Sequence, residues 1–423
     1  MTVRALRSHS LRRQLVKAAP RLVFDVSTRC SAIRHTRLTS DWPRFDSTDL
    51  ISDFINLTSV SPSATVDMNA SLDVYSSFQA LDRFDTQWTT WAEEAASPFA
   101  TLLWLKAWWR AFGEGEPTCI VLRALDGSLR AGGCFQRRRG RLVGMANDHS
   151  GSWDLVAATE PDRVAFYSAL ARTERQSLVF PLLPSQDAAE AARAAVRRSS
   201  YRVATECRRM SPYIELPSTF DALLASRSRN LRSQFRRRRL ALGRAGQWVL
   251  RTAREPDDVT AYLEPFLKIE GSGWKTKRRT SILLDRRANV FYRTLATLAA
   301  SSGMLRLRLL ELDGVAIAGD FSLCFGGGEF LLKSGYNTDY ATFSPGLVLR
   351  GEAIRAAIGD GLRFVDLLGS ADPWKLRWTD QLRPRISLRA YRGPFAVPKV
   401  LYRTYARPAL STSIPARRLR GNH

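Results

Sequence analysis

Apolar residues along this chain recur with two spacings, one near 3.6 and one near 2, and the switches between them lay out the elements. Leu105, Trp108, Trp109 and Phe112 stand at i, i+3, i+4 and i+7 and form one apolar face of a predicted helix. Trp104, Trp108 and Trp109 crowd that segment and read as core packing in preference to a ligand platform. A hairpin is predicted next, Thr118 to Leu125 and Leu129 to Gln136, turning at Asp126-Gly127. Helices follow over 161–173 and 185–198 with an apolar strand, Ser177 to Leu183, between them, and this part ends near Glu215. Beyond it the pattern predicts one long helix from Thr219 to Leu242, a strand from Gln247 to Thr252, and helices over 256–270 and 286–301. Three strands then follow closely: Leu305 to Leu312, Val315 to Phe325 and Glu329 to Lys333. Asp313-Gly314 and Gly326-Gly327-Gly328 are the turns between them. The glycine run joins two strands and opens no helix, which argues against a phosphate loop.

This mixed rhythm is that of an α/β (α+β) chain. Its 423 residues suffice for two domains with tails, divided as 68–215 and 216–395. Residues 1–67 differ from the rest: six cations and no acid precede Asp25, and the segment reads as a disordered extension rather than a targeting signal. Residues 396–423 form a basic tail. No run approaches the roughly 18 apolar residues of a spanning helix.

Charge changes the picture more than composition does. Lys and Arg total 64 against 40 Asp and Glu, a net +24, which attracts polyanions: nucleic acid, anionic lipid or phosphate-rich substrates. Seven arginines and no acid fall in 226–240. They are either a grip on tRNA or lipid phosphates or a solvated face beside Leu223, Leu224, Leu231 and Phe235. The second reading is preferred, because no aromatic residue interleaves with them. His149 is the one histidine outside the terminal segments, and the five cysteines form no CxxC, so a catalytic triad, a disulfide framework and a metal site are not expected.

The sharpest local signature is 344–358. Ser344 is a good N-cap, Pro345 suits the first helical position, Gly346 lets a ligand approach, and Gly359 and Gly361 end the helix before a strand from Phe364 to Leu367. The amides of Gly346 through Val348, unpaired at a positive helix end, suit a pyrophosphate.

Taken in order, Ser97-Pro98-Phe99 with Trp104-Leu105 and Trp108, Gly273-Trp274-Lys275, Leu312-Asp313-Gly314 with Ile317-Ala318, Lys333-Ser334-Gly335-Tyr336, Ser344-Pro345-Gly346, and Asp366-Leu367-Leu368-Gly369 with Lys375 and Trp378 resemble the CelD-type acetyltransferases. These are cellulose-biosynthesis-like members of the GNAT (general N-acetyltransferase) superfamily, related to the Fem-type aminoacyltransferases. The resemblance spans about 70–395 and is densest over 219–380. It implies two GNAT-like halves, each a mixed, mainly antiparallel sheet flanked by helices, with acetyl-CoA or another acyl-CoA as donor in the second. It sets Ser344, Pro345, Gly346 and Leu347 where GNAT proteins keep their phosphate loop, although this sequence has one glycine and a proline there. Lys333 and Gly335 lie on the strand, Phe330 to Gly335, whose amides would polarise the thioester. Asp366 is the preferred general base, or else a cap for its own loop; Glu270 is second, and Tyr336 is the candidate acid for the leaving thiolate. Lys275 and Lys375 are candidates to hold an anionic substrate or CoA phosphates, with Trp274 and Trp378 beside them. The implied function is N- or O-acyl transfer in polysaccharide or cell-envelope metabolism, in the cytoplasm or at the inner face of the membrane, to an acceptor the sequence does not name. The alternatives are an aminoacyl-tRNA-dependent transferase, or a non-catalytic protein that binds a polyanion or membrane surface.

Overall fold

A computed structural model describes residues 70–272 and 281–406. The first part runs β1 (Ala70–Tyr75), α1 (Asp85–Glu94), α2 (Leu102–Phe112), β2 (Thr118–Ala124), β3 (Leu129–Arg137) and β4 (Arg141–Gly144). A two-residue β5 (Val156–Ala157), α3 (Glu160–Thr173), β6 (Ser177–Leu183), α4 (Gln186–Arg197) and β7 (Arg202–Glu215) complete it. The second part opens with α5 (Phe220–Ala225), α6 (Arg229–Ala245), β8 (Trp248–Ala253), α7 (Val259–Glu270) and α8 (Arg286–Ser301). It continues with β9 (Leu305–Leu312), β10 (Val315–Phe325), β11 (Gly328–Tyr336), α9 (Pro345–Gly359) and β12 (Phe364–Asp366). Last come α10 (Pro373–Leu376), β13 (Leu382–Tyr391) and α11 (Ala396–Leu401).

The strands make one 13-stranded sheet in the order β1-β2-β3-β4-β6-β13-β7-β12-β11-β10-β9-β8, with β5 on the side of β3. Among the described residues only β4–β6 and β11–β12 pair in parallel, and the other ladders are antiparallel. Each part repeats one scheme: a strand, two helices, three antiparallel strands, a helix, and then a strand parallel to its predecessor. The closing strands are exchanged. β13, from the end of the chain, pairs with β6, while β7 pairs with β12. The expected pair of mixed, mainly antiparallel GNAT-like halves is therefore present, joined edge to edge through the exchanged strands.

Alternation along the strands sorts side chains into layers. Cys119 and Val121 of β2 face a core with α1, α2, α7 and α8, whereas Ile120 and Leu122 face α3 and α4. The first core crosses both halves, and Trp104 of α2 meets Phe291 of α8 edge-on at 5.1 Å. In the second half the opposite face packs on α5, α6 and α9. There α6 and α9 approach closely enough that a Cβ on Gly351 would stand 2.1 Å from Phe235.

The single helix expected from Thr219 to Leu242 is two helices. Ser228 adopts extended backbone and accepts the Leu231 amide at 3.2 Å, so a side-chain cap competes with continuation and starts α6 afresh. The expected tight turns are present, with positive φ at Asp313 and Gly314 (50° and 78°) and at Gly326 and Gly327 (54° and 74°). Cys119 and Cys134 are opposite residues of β2 and β3 and are free thiols. Among the described residues no helix is long and apolar enough to cross a membrane, and no cluster has the makings of a metal site.

Candidate active site

The parallel β11–β12 ladder covers only three pairs, from Gly328↔Phe364 to Phe330↔Asp366. Past Phe330 the strands part. β11 continues to Tyr336 against β10, while the other chain turns away at Leu368 and Gly369, both with positive φ (49° and 59°). The gap opens into a cavity of about 680 Å³. Leu331 to Tyr336 form one wall, Leu367 and Trp378 lie across from it, and the end of α7 contributes Ile269 and Glu270. Ser344, Gly346 and Leu347 edge the cavity at the start of α9, and Trp374, Lys375 and Arg377 do so on the far side. Gly335 is what lets α7 close this wall. A Cβ there would lie 2.8 Å from the Glu270 Cα, so strand and helix backbones touch where a side chain would hold them apart.

Of the residues expected at the site, Glu270, Lys333, Gly335, Tyr336, Ser344, Gly346, Leu347, Lys375 and Trp378 all border this cavity. Glu270 is 1% exposed, and its Oε2 accepts the Ile282 amide at 2.9 Å. Tyr336 is 42% exposed at the rim. Trp378 is buried against Phe235, 6.1 Å between rings, as part of the α6–α9 core. Trp274 and Lys275 lie outside the described residues.

Three expectations need correction. The first concerns the amide cradle. Pro345 does open the helix, but Ser344 is left-handed (φ 50°, ψ 54°) and its side chain caps nothing. Its carbonyl instead takes the Leu347 and Val348 amides at 2.9 and 3.3 Å, which leaves Gly346 as the one amide of the three without a partner among the described residues. Second, Asp366 does not border the cavity. Its carboxylate is fully buried, accepts the Leu368 amide at 2.9 Å and pairs with Arg385 at 2.9 Å and Arg383 at 3.8 Å. Burial raises its pKa while Arg385 opposes that rise. This is a loop cap and ion-pair partner that does not line the gap. Third, the Lys375 ammonium has its three donors engaged: by the Leu368 carbonyl at 2.8 Å, the Ser370 carbonyl at 3.0 Å and Asp372 at 3.0 Å. Burial lowers its pKa and Asp372 partly restores it. It ties the 368–372 loop to α10.

Sequence reasoning missed a polar group behind Lys333. The Lys333 Nζ stands 5.7 Å from the centre of the Tyr292 ring, and the Tyr292 hydroxyl is 3.4 Å from His149 Nδ1. His149 stacks on Phe112 at 5.3 Å. Burial, reinforced by the Lys333 charge, lowers its pKa from 6.5 to about 4, so the ring is neutral near pH 7. Burial raises the Tyr292 hydroxyl well above 10, and Glu270 adds to the rise. No local pattern joins residues this far apart in sequence; the isolation of His149 was the only sign.

The arginine run on α6 is divided between contacts and open charge. Arg238 donates to the Thr342 carbonyl beside the cavity rim, and Arg239 pairs with Glu352 at 2.8 Å. Arg236 and Arg237 are exposed and without a partner among the described residues.

The stretch that carries the parted strands and the helix start has a counterpart among known families. Residues 229–376 match the acetyltransferase (GNAT) domain family. The matched stretch contains the whole β8–β12 unit, the gap and α9. Among solved structures, FemX is 13% identical over 75% of this chain and 97% of its own, with a TM-score of 0.53. A conserved protein of unknown function from Bacteroides thetaiotaomicron is 12% identical over 76% of this chain and 100% of its own, with a TM-score of 0.50. Both likenesses are of fold. No curated protein sequence matches the chain. The fold is GNAT-like.

Proposed function

We propose that the protein transfers an acyl group from acyl-CoA, held in the β11–β12 gap, to an amine or hydroxyl, and that it does so in surface-polysaccharide or envelope metabolism, as the CelD-type resemblance implies. Supporting this reading above all is the parting of β11 from β12 after three pairs, which leaves a cavity of about 680 Å³ between them. Backbone along Leu331 to Gly335 would polarise the thioester carbonyl. Glu270, the buried carboxylate in the wall, takes the role first assigned to Asp366. As the acceptor nitrogen or oxygen bonds to the carbonyl carbon, its proton passes to the Glu270 carboxylate. The C–S bond then breaks, and the thiolate takes a proton from the Tyr336 hydroxyl. Working on CoA, the protein would act in the cytoplasm or at the inner membrane face, with residues 216–395 carrying the transfer and 68–215 framing the acceptor.

The test is calorimetric titration with acetyl-CoA and longer acyl-CoAs, together with an acceptor-blind assay of thiol release. Gly346 has only the Tyr336 ring near its missing Cβ, at 3.5 Å, so Gly346→Phe should project into the rim and weaken donor binding at least tenfold while the protein stays folded. The absence of binding heat with every acyl-CoA would remove the donor assignment.

One observation favours a second donor. With a single free amide at α9 and unpartnered Arg236 and Arg237 along the rim helix, an aminoacyl-tRNA is gripped better by α6 than a pyrophosphate is by α9. Arg236→Gln and Arg237→Gln would then each flatten the salt dependence of tRNA affinity by about one phosphate contact. Salt-independent binding, or none, excludes it.

A further inference from the structure

The exchanged strands bring a second charged group together. Arg209 of β7 and Arg385 of β13 are direct register partners, and Arg383 lies two residues along the same strand, on the same face. Like charges set opposite one another weaken a ladder, so this arrangement needs a counter-charge. Asp366 supplies one, pairing with Arg385 and more distantly with Arg383. Asp372 is taken up by Lys375. Arg209 forms no ion pair among the described residues: its Nη2 donates to the Ser150 carbonyl at 3.2 Å, and Asp148 acts on it only from an exposed stretch of that loop. Arg385 is 4% exposed. Its Nη2 is on Asp366, its Nη1 is on the Pro184 carbonyl at 3.0 Å, and its Nε has no partner among the described residues. A buried guanidinium N–H left without an acceptor is costly and marks a vacancy for one. Arg383 is held ready over the Tyr213 ring, 3.8 Å from its centre, with a third of its side chain exposed. Burial, with neighbouring cations adding to it, pulls Arg209, Arg385 and Lys375 below their ordinary pKa values.

We propose that Arg209, Arg383 and Arg385 form an oxyanion site that holds the phosphate or carboxylate of an anionic acceptor. The unpartnered Arg385 Nε, with the N–H groups that Arg209 and Arg383 have left over, offers charge-assisted donors to such a group. Leu367, next to Asp366 in the chain, and Lys375 both border the cavity, so an acceptor anchored beside Asp366 by its anion would extend toward the gap. The acceptor's identity rests on the transfer reading. Occupation of the site by an oxyanion does not, and free phosphate tests it without any acyl donor.

The experiment measures inorganic phosphate binding to the full chain by titration calorimetry and by the thermal unfolding midpoint, with ionic strength held constant by chloride. The wild-type midpoint should rise with phosphate. Arg209→Gln and Arg383→Gln should bind phosphate at least about tenfold more weakly and lose the rise. Arg172→Gln, an exposed arginine of α3 outside the cluster, should keep it. In phosphate-free buffer the midpoint of Arg209→Gln should equal or exceed that of wild type, because a cross-strand repulsion is relieved. No rise in the wild type, an equal rise in Arg209→Gln, or a lowered midpoint of Arg209→Gln without phosphate would each overturn the site. A rise specific to the cluster with a silent acyl-CoA titration would keep the site and discard the donor.

Discussion

The two halves present the same strand gap in opposite states. In the first, β4 and β6 pair in parallel over three positions, Arg141↔Ser177 to Val143↔Val179, and then part as β11 and β12 do. Trp153 fills the space that opens. Its amide donates to the Leu182 carbonyl on β6 at 3.0 Å, its ring stacks on Phe180 at 5.6 Å, and a Cβ on Gly144 would stand 2.4 Å from the indole. The helix that follows is also closed to anions. α3 carries Glu160 and Asp162 in its first turn, and the Thr159 hydroxyl caps its Asp162 amide, whereas α9 begins with no acid and no side-chain cap. Shared topology opens the same gap twice, and one indole and two carboxylates close it in one half. The same fold can thus present two different sites.

The comparison can be broken most forcefully at its plug. Trp153→Ala should cost about 4 kcal/mol in chemical denaturation, since a fully buried indole leaves a cavity. Donor stoichiometry should nonetheless stay at one, because the acids of α3 remain; a second binding event would mean that the plug alone separates the halves.

Next in size is Asp366→Asn, which leaves Arg385 buried without its charge partner and should cost about 3 kcal/mol. Turnover per folded molecule should persist. A loss of about 100-fold at unchanged stability would return the base role to Asp366.

The smallest effect lies at the seam between the halves, where His149 of the loop after β4 meets Tyr292 and Lys333. Its folded pKa of about 4 lies below the ordinary 6.5, so between those values the unfolded chain binds a proton that the folded chain refuses. Stability should therefore fall as pH drops from about 6.5 toward 4, by about 2 kcal/mol after allowing for partial exposure. His149→Phe should flatten that slope in urea titrations run across the window.

Much of this was readable along the chain because it depends on near neighbours. Asp126-Gly127 and Asp313-Gly314 make their turns through local φ preferences, the Leu105–Phe112 stripe needs only helical spacing, and Glu270, Tyr336 and Gly346 do converge on one cavity. The failures share one cause. Ser344 looked like a cap because serine is a good one, but the preceding turn forces it left-handed and hands its carbonyl the work. Asp366 looked poised at a strand end, but Arg385, arriving from an exchanged strand, claims it. Lys375 looked free until the loop it secures folded around it.

By itself, then, the sequence determined much of the succession of helices and strands and the tight turns, all written in contacts a few residues long. Tertiary structure alone decided which strands change partners, which of two equivalent gaps is stoppered, and which buried charges are spoken for. Those outcomes depend on groups brought together from as far apart as Arg209 and Arg385 or His149 and Tyr292, whose burial and charge act only once the chain has returned on itself.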